Sequence, residues 1–309
     1  MIRNYISTLL LCSTFVTVTL RSQEIKLFTT ADFDLKGAVK KSLVSTDYGK
    51  EEYKFDAKGR LTKSVTRYNE ADYTITYYTY GNGRLTEKRF ENYRGGNFDK
   101  ATSIANLYTF DSLQTLKITE KIISYDQDFL DQYQYWHDDS GRLTKIVRTN
   151  DEGIDETTVS YTKYRNESTV SYRLNGVLQK SIRTSTRKNK LGGRERIVLT
   201  KKFLNGDPHK AQETTFNEKE QVFLKTDFIF DTDAGQFTPE RTTNYRYDAD
   251  GCLSGETVKT GENEEVREYV YQFDDADPKN WVKQIVTPEN SYTTRAIDYY
   301  PIAETSEEK

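Results

Sequence analysis

A short phrase recurs along the chain and limits what it can fold into. Each copy has an aromatic strand end, Asp or Asn, one or two polar residues, Gly, a long residue, Leu and more polar residues. The clearest copies start at Tyr53, Tyr78, Tyr135 and Tyr245. Gly in the centre supplies a positive φ for a tight turn, while Asp or Asn bonds the local backbone. Each copy therefore predicts a strand, a tight turn and a returning strand. Weaker copies start at Asp32, Tyr108, Tyr172, Thr215, Phe228 and Tyr271.

The residues around these turns favour strands. Tyr73, Ile75 and Tyr77 alternate with threonines, which is the period of a half-buried strand. We expect an all-β fold of repeated antiparallel β-hairpins forming an extended, curved open sheet. One short helix is expected at 126–133. The predicted turn glycines and the leucines that open the next strand are Gly37, Gly59, Leu61, Gly83, Leu85, Gly141, Leu143, Gly176, Gly251 and Leu253.

The amino terminus has the pattern of a secretory signal peptide over residues 1–22. Arg3 precedes an apolar run from Leu9 to Leu20, which is shorter than the roughly 20 residues that a membrane span needs. A lipoprotein signal at Cys12 and a buried strand of the mature fold are the alternatives. No linker divides the remainder, so residues 23–303 are predicted to form one repeat domain, followed by a polar tail at 304–309.

The four clearest copies resemble the YD repeat of the RHS/YD family, with a core of the form Y-x-Y-D-x-x-G-R-L. The GRLT strings at Gly59, Gly83 and Gly141 carry most of this similarity, whereas Cys252 stands where Arg is usual. The closing stretch resembles the end of small exported YD-like proteins of Gram-negative bacteria. The resemblance implies strand–turn–strand units in a long, often spiralling sheet, and it supplies no catalytic residues.

Few residues are available for catalytic or metal chemistry. The chain has two His and two Cys, and export would leave Cys252 as the single thiol, so no intramolecular disulfide is expected. Carboxylate pairs such as Asp248 and Asp250 suit turns; calcium ligation and a glycosidase-type pair are the alternatives. We expect no catalytic residue, no metal and no cofactor.

The aromatic residues are the candidate interaction residues, chiefly Tyr135, Trp136 and Trp281. They could line an exposed groove in which flat rings stack on sugars, or they could form a cross-strand ladder within the sheet. Tyrosine suits both water and a core, so the sequence leaves both interpretations open.

Composition narrows the function to binding. Lys+Arg number 45 and Asp+Glu 48, so the near-balanced charge gives no reason to expect nucleic acid, and a 35% hydrophobic share predicts no membrane span. We expect a non-catalytic, exported interaction or scaffold subunit in the periplasm or at the outer membrane, with a protein partner such as an outer-membrane transport or assembly complex. Free edge strands would offer one means of pairing with it. A carbohydrate-binding protein for a cell-wall or surface glycan is the alternative, and a polysaccharide-active enzyme is the third.

Overall fold

The computed structural model describes residues 25–111, 116–189 and 192–301. The predicted signal peptide at 1–22 and the polar tail at 304–309 lie outside the described residues. Within these residues, every regular element is a strand apart from one short 3-10 helix, Thr30–Phe33. Tyr, Thr, Val and Ile dominate these strands because β-branched and aromatic side chains pack well on a pleated surface.

The described part of the chain forms 20 strands, one after another. They are β1 Val39–Thr46, β2 Gly49–Phe55, β3 Leu61–Arg67, β4 Tyr73–Gly81, β5 Arg84–Arg94, β6 Asn97–Asp111, β7 Lys117–Ser124, β8 Phe129–His137, β9 Leu143–Asn150, β10 Gly153–Tyr164, β11 Glu167–Leu174, β12 Val177–Lys188, β13 Arg194–Leu204, β14 Asp207–Phe216, β15 Val222–Asp231, β16 Gln236–Tyr247, β17 Leu253–Thr260, β18 Asn263–Phe273, β19 Trp281–Thr287 and β20 Ser291–Tyr299.

The sheet closes on itself. Each strand pairs antiparallel with the next, and β1 also pairs antiparallel with β20, with Ser42 opposite Ile297 and Ser45 opposite Thr294. A ring of antiparallel neighbours with no unpaired end is an up-and-down β-barrel. The fold is therefore a closed barrel of 20 strands.

Closure corrects the fold expected from the sequence. The protein is all-β, but the extended, curved or spiralling open sheet is wrong, and so is the resemblance to the RHS/YD family from which the spiralling sheet was expected. The physical reason is the pairing of the first strand with the last, which fills both edges that an open sheet would leave free. Pairing of a partner with a free edge strand is excluded for the same reason. The helix expected at 126–133 is also wrong, because these residues form a turn and the start of β8.

The strand order divides the turns between the two ends of the barrel. Turns that follow even-numbered strands lie at one end, together with residues 28–38, which precede β1 and which we call the strap. This is the strap end. Turns that follow odd-numbered strands lie at the other end, which we call the far end.

The predicted turn glycines fall at three kinds of place. Gly59, Gly83, Gly141 and Gly251 lie in strap-end turns and Gly176 lies in the far-end turn after β11, all with positive φ. Gly37 also has positive φ, but it belongs to the strap, where a Cβ would lie 3.4 Å from Pro278 Cδ. The turn leucines Leu61, Leu85 and Leu143 are buried, and Leu253 is half-buried.

Asp side chains fix the strap-end turns. The carboxylate of Asp138 accepts hydrogen bonds from the backbone N–H groups of Ser140 and Arg142 and from the Arg142 guanidinium. Asp56 repeats this arrangement with Lys58 and Arg60. These local bonds compensate backbone groups that the tight turn leaves unpaired.

The strap crosses the seam where β1 meets β20. On one side, the Thr30 N–H donates to the Gly59 carbonyl at 2.9 Å. On the other side, Lys36 bonds with the side chain of Asn280, which follows β18. Since Gly59 lies between β2 and β3, the strap spans both neighbours of the seam. Its side chains pack against one face of the sheet, which we call the strap face; the other is the back face. Strap residues and strap-face residues form a core of Phe28, Phe33, Leu35, Val39, Tyr53, Phe55, Leu61, Tyr78, Ile297 and Tyr299.

Candidate functional site

The three candidate interaction residues lie in different places. Tyr135 lies on the strap face of β8 and donates its hydroxyl proton to Glu120 Oε2 at 2.7 Å. Its neighbour Trp136 points to the back face, where the ammonium groups of Lys117 and Lys145 lie 5.2 and 5.5 Å from its ring. The structure therefore places Tyr135 and Trp136 on opposite sides of the sheet.

Trp281 is buried beneath the strap. The Arg295 guanidinium lies 3.3 Å from the centre of its ring, and the indole N–H donates to Asp34 Oδ2 at 2.9 Å. Arg295 also donates to the carbonyls of Phe33 and Asp34. These contacts hold the strap against β19 and β20.

Tyr135 belongs to a polar cluster on the strap face that is centred on Glu120. Besides Tyr135, the Glu120 carboxylate accepts hydrogen bonds from the Asn106 amide at 2.7 Å and the Tyr108 hydroxyl at 2.9 Å. The three donors come from β6 and β8, which flank β7, so the register of three strands fixes the carboxylate.

A cavity of about 310 Å³ opens beside this cluster. Its walls come from β4 to β8 and from the chain at and just before the strap. We call it the Glu120 pocket; its lining is Ile25, Lys26, Phe28, Tyr78, Leu85, Lys88, Tyr108, Glu120 and Tyr135.

Burial perturbs the titratable groups of this pocket. It lowers the pKa of the Lys88 ammonium, and the Glu120 carboxylate acts in the opposite direction. Burial, followed by the charge of Glu120, raises the pKa of Tyr108 and Tyr135 well above the usual range for a phenol. Both phenols are neutral donors at physiological pH, as any phenol is, and the raised pKa keeps them protonated at more alkaline pH as well.

Sequence reasoning found Tyr135 but missed Glu120 and Lys88. Glu120 lies on the same side of β7 as Ile118 and Ile122, and β7 lies between two strands rich in aromatic residues. A carboxylate on the apolar side of a strand is the signal that could have identified Glu120.

A second candidate surface lies at the far end. Every charged residue in the turns at this end is acidic, and all of these turns fall within the described residues. The acidic residues are Asp47, Glu70, Asp72, Asp126, Asp128, Asp151, Glu152, Asp233, Glu262 and Glu289. The strap-end turns are mixed, since Lys58, Arg60, Arg142 and Lys219 accompany their carboxylates.

Large apolar side chains are exposed around the same end. Tyr48 is 84% exposed at the tip of the first turn, and Ile154 is 72% exposed at the start of β10. Others within the turns or near the strand ends are Tyr68, Tyr125, Phe129, Leu130, Val177, Leu204, Ile229 and Tyr292. We call these residues and the acidic turn residues together the acidic rim.

The surroundings of His137 and Cys252 do not suit a catalytic role. His137 is buried, with Nδ1 3.0 Å from the Leu116 carbonyl oxygen. Burial raises the pKa of the Cys252 thiol, which disfavours the reactive thiolate. Among the described residues, no group of three or more His, Cys, Asp or Glu side chains is arranged to hold a metal ion.

The described residues include no helix of the length and apolar character needed to cross a membrane.

Comparison with known proteins gives no family. No protein-family model matches the sequence, and no curated protein does. A porin-like protein from Bacteroides uniformis aligns over 84% of this chain and 96% of its own, with 12% identity and a TM-score of 0.34. A porin-like protein from Bacteroides vulgatus covers 85% of this chain and 99% of its own, with 11% identity and a TM-score of 0.22. A Bacteroides fragilis protein of unknown function covers 55% and 89%, with 12% identity and a TM-score of 0.18. TM-scores this low do not establish shared geometry.

Proposed function

We propose that this chain is a non-catalytic, exported interaction protein that docks on a basic protein surface through its acidic rim. One observation carries the proposal: the far-end turns combine exclusively acidic charge with exposed aromatic and aliphatic side chains. Tyrosine is enriched in protein interfaces, and charge of one sign around it selects a partner of opposite sign.

Size supports docking on a protein. Twenty strands at about 4.8 Å spacing give the rim a perimeter of roughly 100 Å, enough for an interface of ordinary area. A second copy docked rim to rim would bring like charges together, and an anionic lipid surface would repel the rim. A basic protein surface satisfies both the charge and the apolar groups.

Charge on both faces of the wall favours a barrel that stands in water. Consecutive residues on a strand point to opposite faces of the sheet, so two charged neighbours place charge on both faces. Such pairs are Lys88–Arg89 on β5, Glu120–Lys121 on β7 and Arg267–Glu268 on β18. A barrel embedded in lipid needs one face with an apolar band about 25 Å tall. We therefore place this protein beside an envelope complex, in keeping with the periplasmic or outer-membrane location expected from the sequence.

The test begins with capture of partners by tagged mature protein from its own cell envelope. Each captured protein is then purified and its affinity for rim variants is measured by biolayer interferometry. The double variant Asp47→Asn/Asp151→Asn removes two rim charges, and Asp139→Asn/Asp250→Asn makes the same chemical change at the strap end. We expect the rim variant to bind about twofold to tenfold more weakly and the control to bind unchanged.

The apolar part of the rim has its own pair of variants. Tyr48→Ser/Tyr68→Ser should weaken binding, whereas Tyr164→Ser, at an exposed strap-end tip, should not. Equal affinity for rim and control variants, or affinity that does not fall with added salt, would refute docking through the rim.

A further inference from the structure

The Glu120 pocket lies away from the acidic rim and is not used by the proposed docking. Leu85 is the second residue of β5 and Tyr135 is near the end of β8, so both belong to the strap-end half of the barrel. The pocket is therefore free to hold a ligand while the far end is engaged. We propose that it binds a single neutral pyranose ring.

Size and aromatic lining fit a sugar ring. A volume of about 310 Å³ is at the small end of ligand pockets, which suits one ring more than a chain. Tyr78, Tyr108, Tyr135 and Phe28 contribute rings, and Phe28 meets Tyr78 edge to face with centroids 6.2 Å apart. Aromatic rings cover the C–H faces of a sugar and leave its hydroxyl groups free to bond with polar partners.

The polar groups are suited to hydroxyls. Three hydrogen bonds fix the Glu120 carboxylate, and a carboxylate offers about four lone-pair sites, so one acceptor site is left for a ligand. A ligand hydroxyl can donate to the Glu120 carboxylate and accept from the Lys88 ammonium, since both groups line the pocket.

The balance of charge selects a neutral ligand. Lys88 and Glu120 carry opposite charges and both line the pocket, and Lys26 forms an ion pair with Asp32 at 2.9 Å. Each charge that borders the pocket thus has a counter-charge within the protein. An ionic ligand would have to displace one of these partners at a desolvation cost, whereas a neutral hydroxylated ring would not.

The test measures binding of methyl β-glucopyranoside, methyl β-galactopyranoside and N-acetylglucosamine to the intact mature protein by saturation-transfer NMR and calorimetry. Sodium acetate and ethylammonium chloride are the ionic probes. We expect a pyranoside to bind with a millimolar or tighter Kd and the ionic probes not to compete. Glu120→Gln should weaken this binding about tenfold, while Glu264→Gln, an exposed carboxylate on β18, should leave it unchanged.

Two further results guard against a folding artefact. Thermal unfolding of Glu120→Gln shows whether the barrel is intact, and Ile25→Trp narrows the pocket from the flanking chain without changing the Glu120 hydrogen bonds. Weaker binding to Ile25→Trp with normal unfolding supports the site. Binding of no pyranoside at millimolar concentration, binding of an ionic probe alone, or equal binding by Glu120→Gln and Glu264→Gln overturns it. None of these results depends on whether the rim binds a protein.

Discussion

Asn280 is the residue through which the strap can be tested most directly. The residue is 2% exposed, and its side chain bonds with both the N–H and the carbonyl of Lys36 in the strap. Oδ1 accepts from the Lys36 N–H at 2.7 Å, while Nδ2 donates to the Lys36 carbonyl at 2.9 Å and to the Tyr299 hydroxyl at 2.8 Å. The substitution Asn280→Ala removes all three hydrogen bonds at once.

The size of the effect follows from these bonds. Each is worth about 1 kcal/mol net, so the free energy of unfolding should fall by about 3 kcal/mol. At about 2.1 cal/mol/K of unfolding entropy per residue, 1 kcal/mol shifts the Tm of a chain of 309 residues by somewhat under 2 °C, which predicts a decrease of about 5 °C. Asn166→Ala is the matched control, because Asn166 is exposed in the turn after β10.

The assay combines thermal unfolding, followed by far-UV circular dichroism, with amide hydrogen exchange. If the strap clamps the seam, amides of β1 and β20 should exchange faster in Asn280→Ala, while those of β12 and β13 should change less. A Tm within about 2 °C of the wild type, or exchange that rises equally around the barrel, would refute the role of the strap in closure.

Three other predictions concern turns and titration. Gly83→Ala should lower the free energy of unfolding by about 1–2 kcal/mol, measured by urea unfolding, because the φ of Gly83 is +77°. A Cβ there would meet nothing within 4 Å, so the loss would come from the backbone alone, and an unchanged midpoint would contradict it. Hydrogen bonds lower the pKa of Asp138, the largest contribution coming from Ser140. Burial would raise the pKa of Asp56, but hydrogen bonds from Arg60 and Lys58 and the charge of Arg60 together outweigh it and lower that pKa. Their stabilisation should therefore be complete above the usual pKa of 3.8 and lost as pH falls below it, so Asp138→Asn should flatten the acid limb of a stability–pH curve. Burial raises the pKa of Tyr247 to about 12, so the free energy of unfolding should fall as pH rises from 10 towards 12. In an ultraviolet titration this phenol should titrate after the exposed tyrosines, and complete titration near pH 10 would contradict its burial.

Local pattern predicted the strands and several of the turns but could not predict closure. The D-x-x-G phrases at Asp56 and Asp138 form turns because their bonds join residues two to four positions apart. Closure depends on pairing Val39–Thr46 with Ser291–Tyr299, and neither segment differs in composition from the other strands. An open sheet and a closed barrel of the same strands have the same local sequence, so only the long-range register distinguishes them.

In the candidate sites, too, the sequence predicts single residues, while their partners depend on the long-range register. Tyr135 could be picked out as an aromatic residue in a strand, but its partners lie on β6 and β7, and only the register brings them together. The acidic rim is separated in sequence into short turns, and its uniform charge emerges only when alternate turns are assigned to one end. Gly37 resembled the turn glycines locally, yet its surroundings are set by Pro278, at the other end of the chain.

The pairing of β1 with β20 has a consequence for biogenesis. A chain that emerges amino terminus first presents β1 long before β20 exists, so the hydrogen-bonding groups along one side of β1 must wait for the whole domain to be made. Contacts of such high sequence separation fold slowly, because a long loop must be closed before any contact is gained. During that interval the nascent protein is open to mispairing and proteolysis, which predicts dependence on a holdase chaperone.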